Sequence, residues 1–275
     1  RASDLPDFGG LVKQIFAEFD LPVHEFLKIA RDEVTFLADL AGSSFTDQQR
    51  AEVKRFRSGD YDVVLGMLER RIEGLVPTSS EIRLSIAKML RGPKIKYAPI
   101  HRSLMKLSNR GVATTVVTTN FEFLLEEAAR SIGVNAKTFA LGGIPRPGLR
   151  KDFSGVLHIH GALDRDPNRS GDVIVSDHDF GEFYLRRRVV PDFIYDAARL
   201  YNIVLVGYSA NDPPMRYLLN AVAADGSRFG DLKERFTFVG VESPDPVLME
   251  DWKGRGITPI EYDNKSGHGA LAETL

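Results

Sequence analysis

"VVTTNFEFLLEE", residues 116 to 127, begins as an apolar, β-branched run and ends as an acidic helical pattern. The polar residues Thr118, Thr119 and Asn120 stand at the junction. An apolar run of this kind is typical of a strand in a parallel sheet whose two faces are covered by helices. The stretch therefore predicts a strand-to-helix turn within a βαβ unit of an α/β protein.

The same alternation continues to the end of the sequence. Strands are predicted over 113–118, 155–160, 203–207, 236–241 and 257–262. Helices are predicted between them, over 121–132, 179–200, 213–224 and 247–254. Apolar strands separated by helices predict a doubly wound, Rossmann-like parallel sheet.

Residues 10 to 110 show helical periodicity almost throughout, with apolar stripes such as Leu11, Ile15 and Phe19. We expect one domain over residues 1–275, with a mostly helical part at 10–110 and a Rossmann-like α/β part at 111–275. The helical part would form a layer or insertion beside the sheet. The sequence starts without Met and stops inside a helical pattern, so we interpret it as a segment cut from a longer protein.

Composition excludes several classes of function. The net charge of −2 gives no electrostatic footprint for nucleic acid or an anionic membrane. No run of 18 apolar residues is present, so no helix is expected to span a bilayer. The absence of cysteine excludes disulfides, a thiol nucleophile and a cysteine-based zinc site, and it fits a cytoplasmic location.

Polar and small residues follow the predicted strands where each one ends. In parallel α/β sheets ligands bind at this carboxyl edge, so these residues predict one polar cleft. The residues at the strand ends are Thr118, Thr119, Asn120, His158, His160, Gly161, Gly207, Tyr208, Ser209, Asn211, Asp212, Glu242, Ser243, Asp263 and Asn264.

Asn120 and the histidines are the candidates for chemistry. The amide of Asn120 can cap the following helix, or it can hold a ligand hydroxyl or a water near the positive end of that helix. His158 and His160 lie on one face of a strand, and a structural role is the expected one for His158. His160 is followed by Gly161 at the strand's end and is the better candidate general base. A metal held by the two histidines lacks a third ligand at a convincing spacing, so no metal site is predicted.

Four segments, taken in order, resemble the sirtuin (SIR2-like) superfamily. "SDLPDFGG" (3–10) looks like the loop after that family's glycine-rich nucleotide turn, and "TTNFEFLLE" (118–126) looks like its Thr-Thr-Asn-Tyr-Asp element. "HGAL" (160–163) looks like its catalytic His-Gly, and "VGYSANDPPMRYLL" (206–219) resembles a signature of bacterial members. The resemblance implies that Asn120 positions a water or the ribose of NAD, and that His160 is the essential base.

The resemblance also implies contacts along the whole dinucleotide. Residues near the start of the chain would line the nicotinamide pocket, and those at the last strand would approach the adenine. The implied NAD-binding residues are Pro6, Asp7, Phe8, Thr118, Thr119, Glu122, Gly161, Gly207, Tyr208, Ser209, Asp212, Asp263, Asn264 and Gly267.

Departures from the family pattern narrow the implied activity. The glycine-rich turn expected just before Arg1 is missing, and Glu122 stands where the family often has Asp. Because no cysteine is present, the zinc ribbon of protein-deacylating sirtuins cannot form. The resemblance therefore points to bacterial SIR2-like effectors of anti-phage defence, which hydrolyse NAD, their substrate, to ADP-ribose and nicotinamide.

Effectors of this kind imply a homo-oligomer or a larger defence complex as the assembly, with no metal cofactor. Two other hypotheses remain open. The domain could bind NAD or an ADP-ribose-like nucleotide as a sensor without turnover. Alternatively, it could be a zinc-independent, NAD-dependent deacylase or ADP-ribosyltransferase.

Overall fold

A computed structural model describes residues 5–74, 80–92, 96–109, 115–148, 153–166, 168–207, 213–226, 232–265 and 267–275. The internal contacts of the chain divide it into two compact units. The helical unit contains the described part of 1–96 together with Asn120–Glu122 and His160–Gly181. The α/β unit contains Tyr97–Thr119, Phe123–Ile159 and Glu182–Leu275.

Helices of the helical unit account for the apolar periodicity at the start of the sequence. They are α1 (Phe8–Phe19), α2 (Leu21–Lys28), α3 (Glu33–Gly42), α4 (Asp47–Ser58), α5 (Tyr61–Glu73) and α6 (Glu81–Leu90). Most of them begin after an Asp, Ser or Thr whose side chain accepts a bond from a free N–H of the first turn, as Asp32 does for α3 and Ser80 for α6. Their apolar faces meet in a core whose largest members, such as Ile15, Phe16 and Leu65, have no exposed surface.

Burial of such side chains stabilises the unit by about 1.5–3 kcal/mol each before the entropy cost is counted. A short helix, α9 (Asp177–Phe180), belongs to the same unit, together with the loop that precedes it. The α/β unit holds the other helices: α7 (Pro99–Ser108), α8 (Leu124–Ser131), α10 (Val189–Leu200), α11 (Pro213–Gly226), α12 (Pro246–Gly254) and α13 (Gly269–Thr274).

Every strand of the α/β unit pairs in parallel with its neighbours. The strands are β1 (Thr115–Thr118), β2 (Lys137–Phe139), β3 (Gly155–His158), β4 (Ile203–Leu205), β5 (Arg235–Val241) and β6 (Thr258–Asp263). Within the described ranges they form two three-stranded sheets, in the orders β1-β3-β2 and β4-β5-β6. The predicted α/β class with parallel sheets is confirmed. In the first sheet α7 and α8 bury Met105, Leu125 and Ala128 against Val156.

Several bounds differ from the predicted elements, and three of the differences concern the first sheet and the region before α10. The strand β2 was not predicted, because three residues are too few to show a period. The strand β3 ends at His158, two residues earlier than predicted, so His160 lies in the turn that follows. The predicted helix over 179–200 is broken into α9, a π-helical turn at Gly181–Arg186, and α10. Pro191 has no N–H and its ring would clash with the preceding turn, so it is accommodated in the first turn of a new helix.

None of the helices in the described ranges is long and apolar enough to cross a bilayer.

Candidate active site

Asn120 follows the end of β1, and its amide pairs with a carboxylate. Its Nδ2 donates to Oε1 of Glu122 at 3.2 Å. Glu122 is buried, whereas Asn120 is exposed. The helix α8 does not begin until Leu124, and its N-cap residue is Phe123, which makes no capping bond with its side chain. The helix-capping interpretation of Asn120 is therefore wrong, because residues 121–123 separate it from the first turn.

Backbone hydrogen bonds carry the pairing of β1 and β3 past the strand ends. Thr118 and His158 are the last register pair. Beyond them, Ile159 N donates to Thr118 O at 2.9 Å, and Leu163 N donates to Phe121 O at 3.0 Å. Asn120 and His160 each lie two residues past the register pair. The two predicted catalytic residues are therefore on neighbouring segments, and both belong to the helical unit.

His160 is buried and held from two directions. Only 7% of its surface is exposed. Its carbonyl accepts from Ile174 N at 2.8 Å, and its ring lies edge-on to Phe180 with 5.5 Å between centroids. An imidazole held in this way has a defined orientation, which a general base requires.

Gly161 is required by the backbone immediately after His160. Its φ is +91°, and a Cβ placed there would lie 1.9 Å from the carbonyl oxygen of Asp172. Gly161 also pairs with Val173 in an antiparallel bridge. A residue with any side chain would be strained and would collide with the facing strand segment, so glycine fixes the close approach of these two segments.

His158 is wholly buried and bonded, in agreement with the structural role expected for it. Its Nε2 lies 3.0 Å from Oε1 of Glu126, which also accepts from Oγ1 of Thr138 at 2.9 Å. The ring of Phe123 packs edge-on to the imidazole at 5.6 Å. The partner of His158, Glu126, is not among the residues predicted from the sequence. Its only signal was a carboxylate on the otherwise apolar inner face of α8.

The residues predicted for the nicotinamide pocket, Pro6, Asp7 and Phe8, lie at the start of the helical unit. Asp7 caps α1, because its Oδ1 accepts from Gly10 N at 2.6 Å. The ring of Phe8 packs edge-on to Tyr61 at 6.1 Å between centroids and remains 36% exposed. Asp7 therefore has a structural role at this terminus, and Phe8 presents an apolar surface.

Among the residues predicted to bind the adenosine half, those that the structure describes lie in the α/β unit. Gly207 follows β4 with a φ of +65°, whereas Tyr208, Ser209 and Asp212 lie outside the described residues. The strands β5 and β6 end in a groove of about 280 Å³. Its lining residues are Val241, Glu242, Ser243, Pro244, Glu261, Tyr262, Asp263 and Lys265.

Asp263 and its successors shape one side of this groove. Oδ1 of Asp263 accepts from Lys265 N at 2.9 Å, Asn264 N donates to Val241 O at 3.0 Å, and Gly267 N donates to Asn264 O at 2.9 Å. The hydroxyl of Tyr262, a residue not predicted for the site, lies 2.6 Å from Nδ1 of His268. Burial raises the pKa of Tyr262, so its hydroxyl stays protonated at neutral pH and can act as a donor.

The family of this chain follows from its similarity to known proteins. A family model described as the SIR2-like domain matches residues 114–260. The chain belongs to the SIR2-like domain family. The matched region contains Asn120, His158 and His160. It also contains residues 241–244, which line the groove at the end of β5. The resemblance inferred from the sequence is thus confirmed at the level of the superfamily, which indicates an NAD-related function.

One curated relative of this SIR2-like domain is an uncharacterised protein, y4cA, of Sinorhizobium fredii (strain NBRC 101917 / NGR234). It is 32% identical over 234 residues, which cover 82% of this chain and 19% of that protein. The chain therefore spans about a fifth of the length of this relative.

The predicted residues of the SIR2-like domain fall in both units. Asn120, Glu122, His160 and Gly161 belong to the helical unit with Pro6, Asp7 and Phe8; Thr118, Thr119, Gly207, Asp263, Asn264 and Gly267 belong to the α/β unit. Over the described residues, no group of three or more His, Asp or Glu side chains is arranged to hold a metal ion.

Proposed function

We propose that this SIR2-like domain hydrolyses NAD to ADP-ribose and nicotinamide, with Asn120 and His160 as its catalytic residues. The observation that carries the proposal is the placement of both residues on neighbouring segments, joined by the bond from Leu163 to Phe121, within the region matched by the family. The presence of both residues favours turnover over sensing, since a sensor has no need of a positioned base.

The chemistry requires few groups. Cleavage of the bond between ribose C1′ and the nicotinamide nitrogen passes through an oxocarbenium-like ribose, as in glycoside hydrolysis. The bonding electrons neutralise the cationic nicotinamide, so its departure needs no strong general acid. Water then adds to C1′ and gives up a proton. In this scheme His160 accepts that proton, and it returns to solvent before the next turnover.

Asn120 serves orientation in this mechanism. Glu122 accepts one amide hydrogen of Asn120, which fixes the plane of the amide. In the complex with NAD we assign the amide of Asn120 to the attacking water or a ribose hydroxyl. Positioning of this kind raises the rate because the reacting atoms are already aligned before the bond breaks.

The rest of the dinucleotide is assigned from the family resemblance. The adenine is proposed to bind in the groove beside Asp263, Asn264 and Gly267. Its ribose and phosphates would contact Gly207, Tyr208, Ser209, Asp212, Thr118 and Thr119. Pro6, Asp7 and Phe8 would face the nicotinamide, and Gly161 would let the backbone approach the ribose closely.

We also propose the wider setting. The 275 residues would form one SIR2-like domain of a longer protein, with a mostly helical part at 10–110 and a doubly wound, Rossmann-like part at 111–275. The 19% coverage of the Sinorhizobium relative supports a longer protein. In the cytoplasm, as a homo-oligomer or within a larger defence complex, the domain would act on infection by depleting NAD.

The test is product analysis with the full-length protein. NAD would be incubated with wild type, His160→Ala and, as a matched control, His178→Ala, which removes an exposed histidine of the same unit. Equal amounts of nicotinamide and ADP-ribose from wild type and His178→Ala, with a rate at least about 10²-fold lower for His160→Ala, would support the proposal. NAD that is bound but left intact, both alone and in phage-infected cells, would establish a sensor. Nicotinamide release that requires an acyl-lysine peptide would establish a deacylase.

A further inference from the structure

Arg83 on α6 contacts the segment 173–180, which follows His160 in the helical unit. Its Nη1 donates to Val173 O at 2.9 Å. Its Nη2 donates to both carboxylate oxygens of Asp179, at 3.0 and 2.8 Å, and to Ser176 Oγ at 3.4 Å. One guanidinium thus binds the segment near both of its ends.

The other side of the guanidinium is held by α5. Glu69 accepts from Arg83 Nε at 2.7 Å and from Nη2 at 3.1 Å. Burial by itself lowers the pKa of Arg83, but the hydrogen bonds and charges of Glu69 and Asp179 outweigh it and hold that pKa above its usual value. Arg83 therefore remains charged, and its planar fork joins two carboxylates that would otherwise repel each other.

Asp179 connects Arg83 to the backbone of the segment 173–180. Its Oδ2 accepts from Val175 N, Ser176 N and Ser176 Oγ, each at 3.0 Å. Asp179 is 8% exposed, so these bonds are made away from water. Asp177 makes a second contact between this segment and α5. Gly66 of α5 leaves room for Asp177, since a Cβ on Gly66 would lie 2.0 Å from Oδ1 of Asp177.

The segment fixed by Arg83 contacts His160 through backbone and ring. Val173 forms the bridge with Gly161, and Ile174 N donates to His160 O at 2.8 Å. Phe180, the residue after Asp179, meets the imidazole edge-on at 86°. The residues that Arg83 holds are thus the immediate chain neighbours of the residues that hold His160.

We propose that Arg83 is a positioning residue for His160: by fixing segment 173–180 from α5 and α6, it sets the orientation of the imidazole. Its consequence for catalysis rests on the proposed NAD hydrolysis, whereas its consequence for the orientation of His160 does not. Glu69 and Asp179 share the role, because they hold the guanidinium in its plane.

Arg83→Lys tests the proposal, with Arg71→Lys as the matched control. Arg71 is also a partly buried arginine of the helical unit that bridges two carboxylates, Glu52 and Asp20, with N–O distances of 2.8 and 2.7 Å. Lysine keeps the charge in both variants but loses the fork. The two variants should therefore lose similar stability, and only Arg83→Lys should disturb His160.

Two measurements distinguish a failure of the role proposed for Arg83 from a failure of the proposed NAD hydrolysis. The first is the NMR signal of the His160 ring in the full chain, assigned by its loss in His160→Ala. Arg83→Lys should shift this signal and its pH titration midpoint, and Arg71→Lys should leave both unchanged. The second is NAD turnover, in which Arg83→Lys should lower kcat by about 10- to 100-fold with little change in KM, the loss that a small misplacement causes.

An unshifted His160 signal in folded Arg83→Lys, with wild-type kcat, would overturn the proposal. If wild type itself does not cleave NAD, the proposed hydrolysis fails, and the NMR readout alone decides the role of Arg83. If Arg83→Lys does not fold, Ser176→Ala replaces it, because that change removes one donor to Asp179 and keeps both ion pairs. A smaller shift of the His160 signal in Ser176→Ala would support the proposal, and no shift would overturn it.

Discussion

The imidazole of His160 lies edge-on to the ring of Phe180, with centroids 5.5 Å apart and planes at 86°. Such pairs are stabilised by about 0.5–1.5 kcal/mol beyond the area they bury. Phe180 ends α9, which the helical unit holds through Asp179 and Arg83. The candidate base thus follows a strand of the α/β unit in sequence but takes its orientation from helices that occur much earlier in the chain.

Gly161→Ala should destabilise the protein by more than about 3 kcal/mol, because a left-handed backbone and a collision with Asp172 O act together. Urea unfolding measures the effect. Gly42→Ala is the control, since a Cβ at Gly42 meets nothing within 4 Å at the end of α3. Gly42→Ala should be neutral or slightly stabilising. Equal stability of the two variants would show that Gly161 does not need its glycine conformation.

Glu126→Ala should cost about 2–4 kcal/mol in the free energy of unfolding, because it leaves the buried His158 and the half-buried Thr138 without their shared partner. Glu127→Ala, the exposed neighbour on α8, should change stability by no more than about 0.5 kcal/mol. Chemical denaturation of both variants checks the difference. A cost for Glu126→Ala as small as that for Glu127→Ala would contradict a buried carboxylate–imidazole pair.

Asp62→Asn should stabilise the protein at neutral pH. Burial raises the pKa of Asp62 above its ordinary value of 3.8, and the charges of Asp177 and Asp60 raise it further. Because the folded pKa exceeds the unfolded one, the folded state binds more protons, and stability falls as pH rises between the two values. The neutral variant lacks this penalty. Its advantage in Tm should be present above the folded pKa and vanish below about pH 3.8; an advantage independent of pH would exclude the titration of Asp62 as its cause.

Asp263→Ala should raise KM for NAD by about three- to tenfold and leave kcat nearly unchanged, because the adenine end contributes binding that is equal in ground and transition states. Steady-state kinetics with the full-length protein measures both constants. Glu250→Ala is the control, since Glu250 is an exposed residue of α12 paired with Lys253. An unchanged KM for Asp263→Ala would place the adenine elsewhere than in this groove.

Elements that depend on local sequence alone could be predicted. β-Branched runs placed β1 and β3, and the polar residues after them marked Asn120 and His160. The strand β2 is too short to show a period, and it forms because it pairs with β3. The break before α10 depends on Pro191, and the periodicity of apolar residues does not reveal it. The cluster of Arg83, Glu69 and Asp179 joins residues 14 and 96 positions apart, so only tertiary packing brings it together.

The most direct measurement is a double-mutant cycle on NAD cleavage by the full-length protein, comparing wild type, Asn120→Ala, His160→Ala and the double variant. Each single change should lower kcat/KM by about 10²- to 10⁴-fold, the contribution of a positioned catalytic group. If the two residues act on one ribose, the double variant should be little worse than the more damaging single one. Wild-type kcat/KM in His160→Ala, or losses that multiply in full, would contradict a shared catalytic pair.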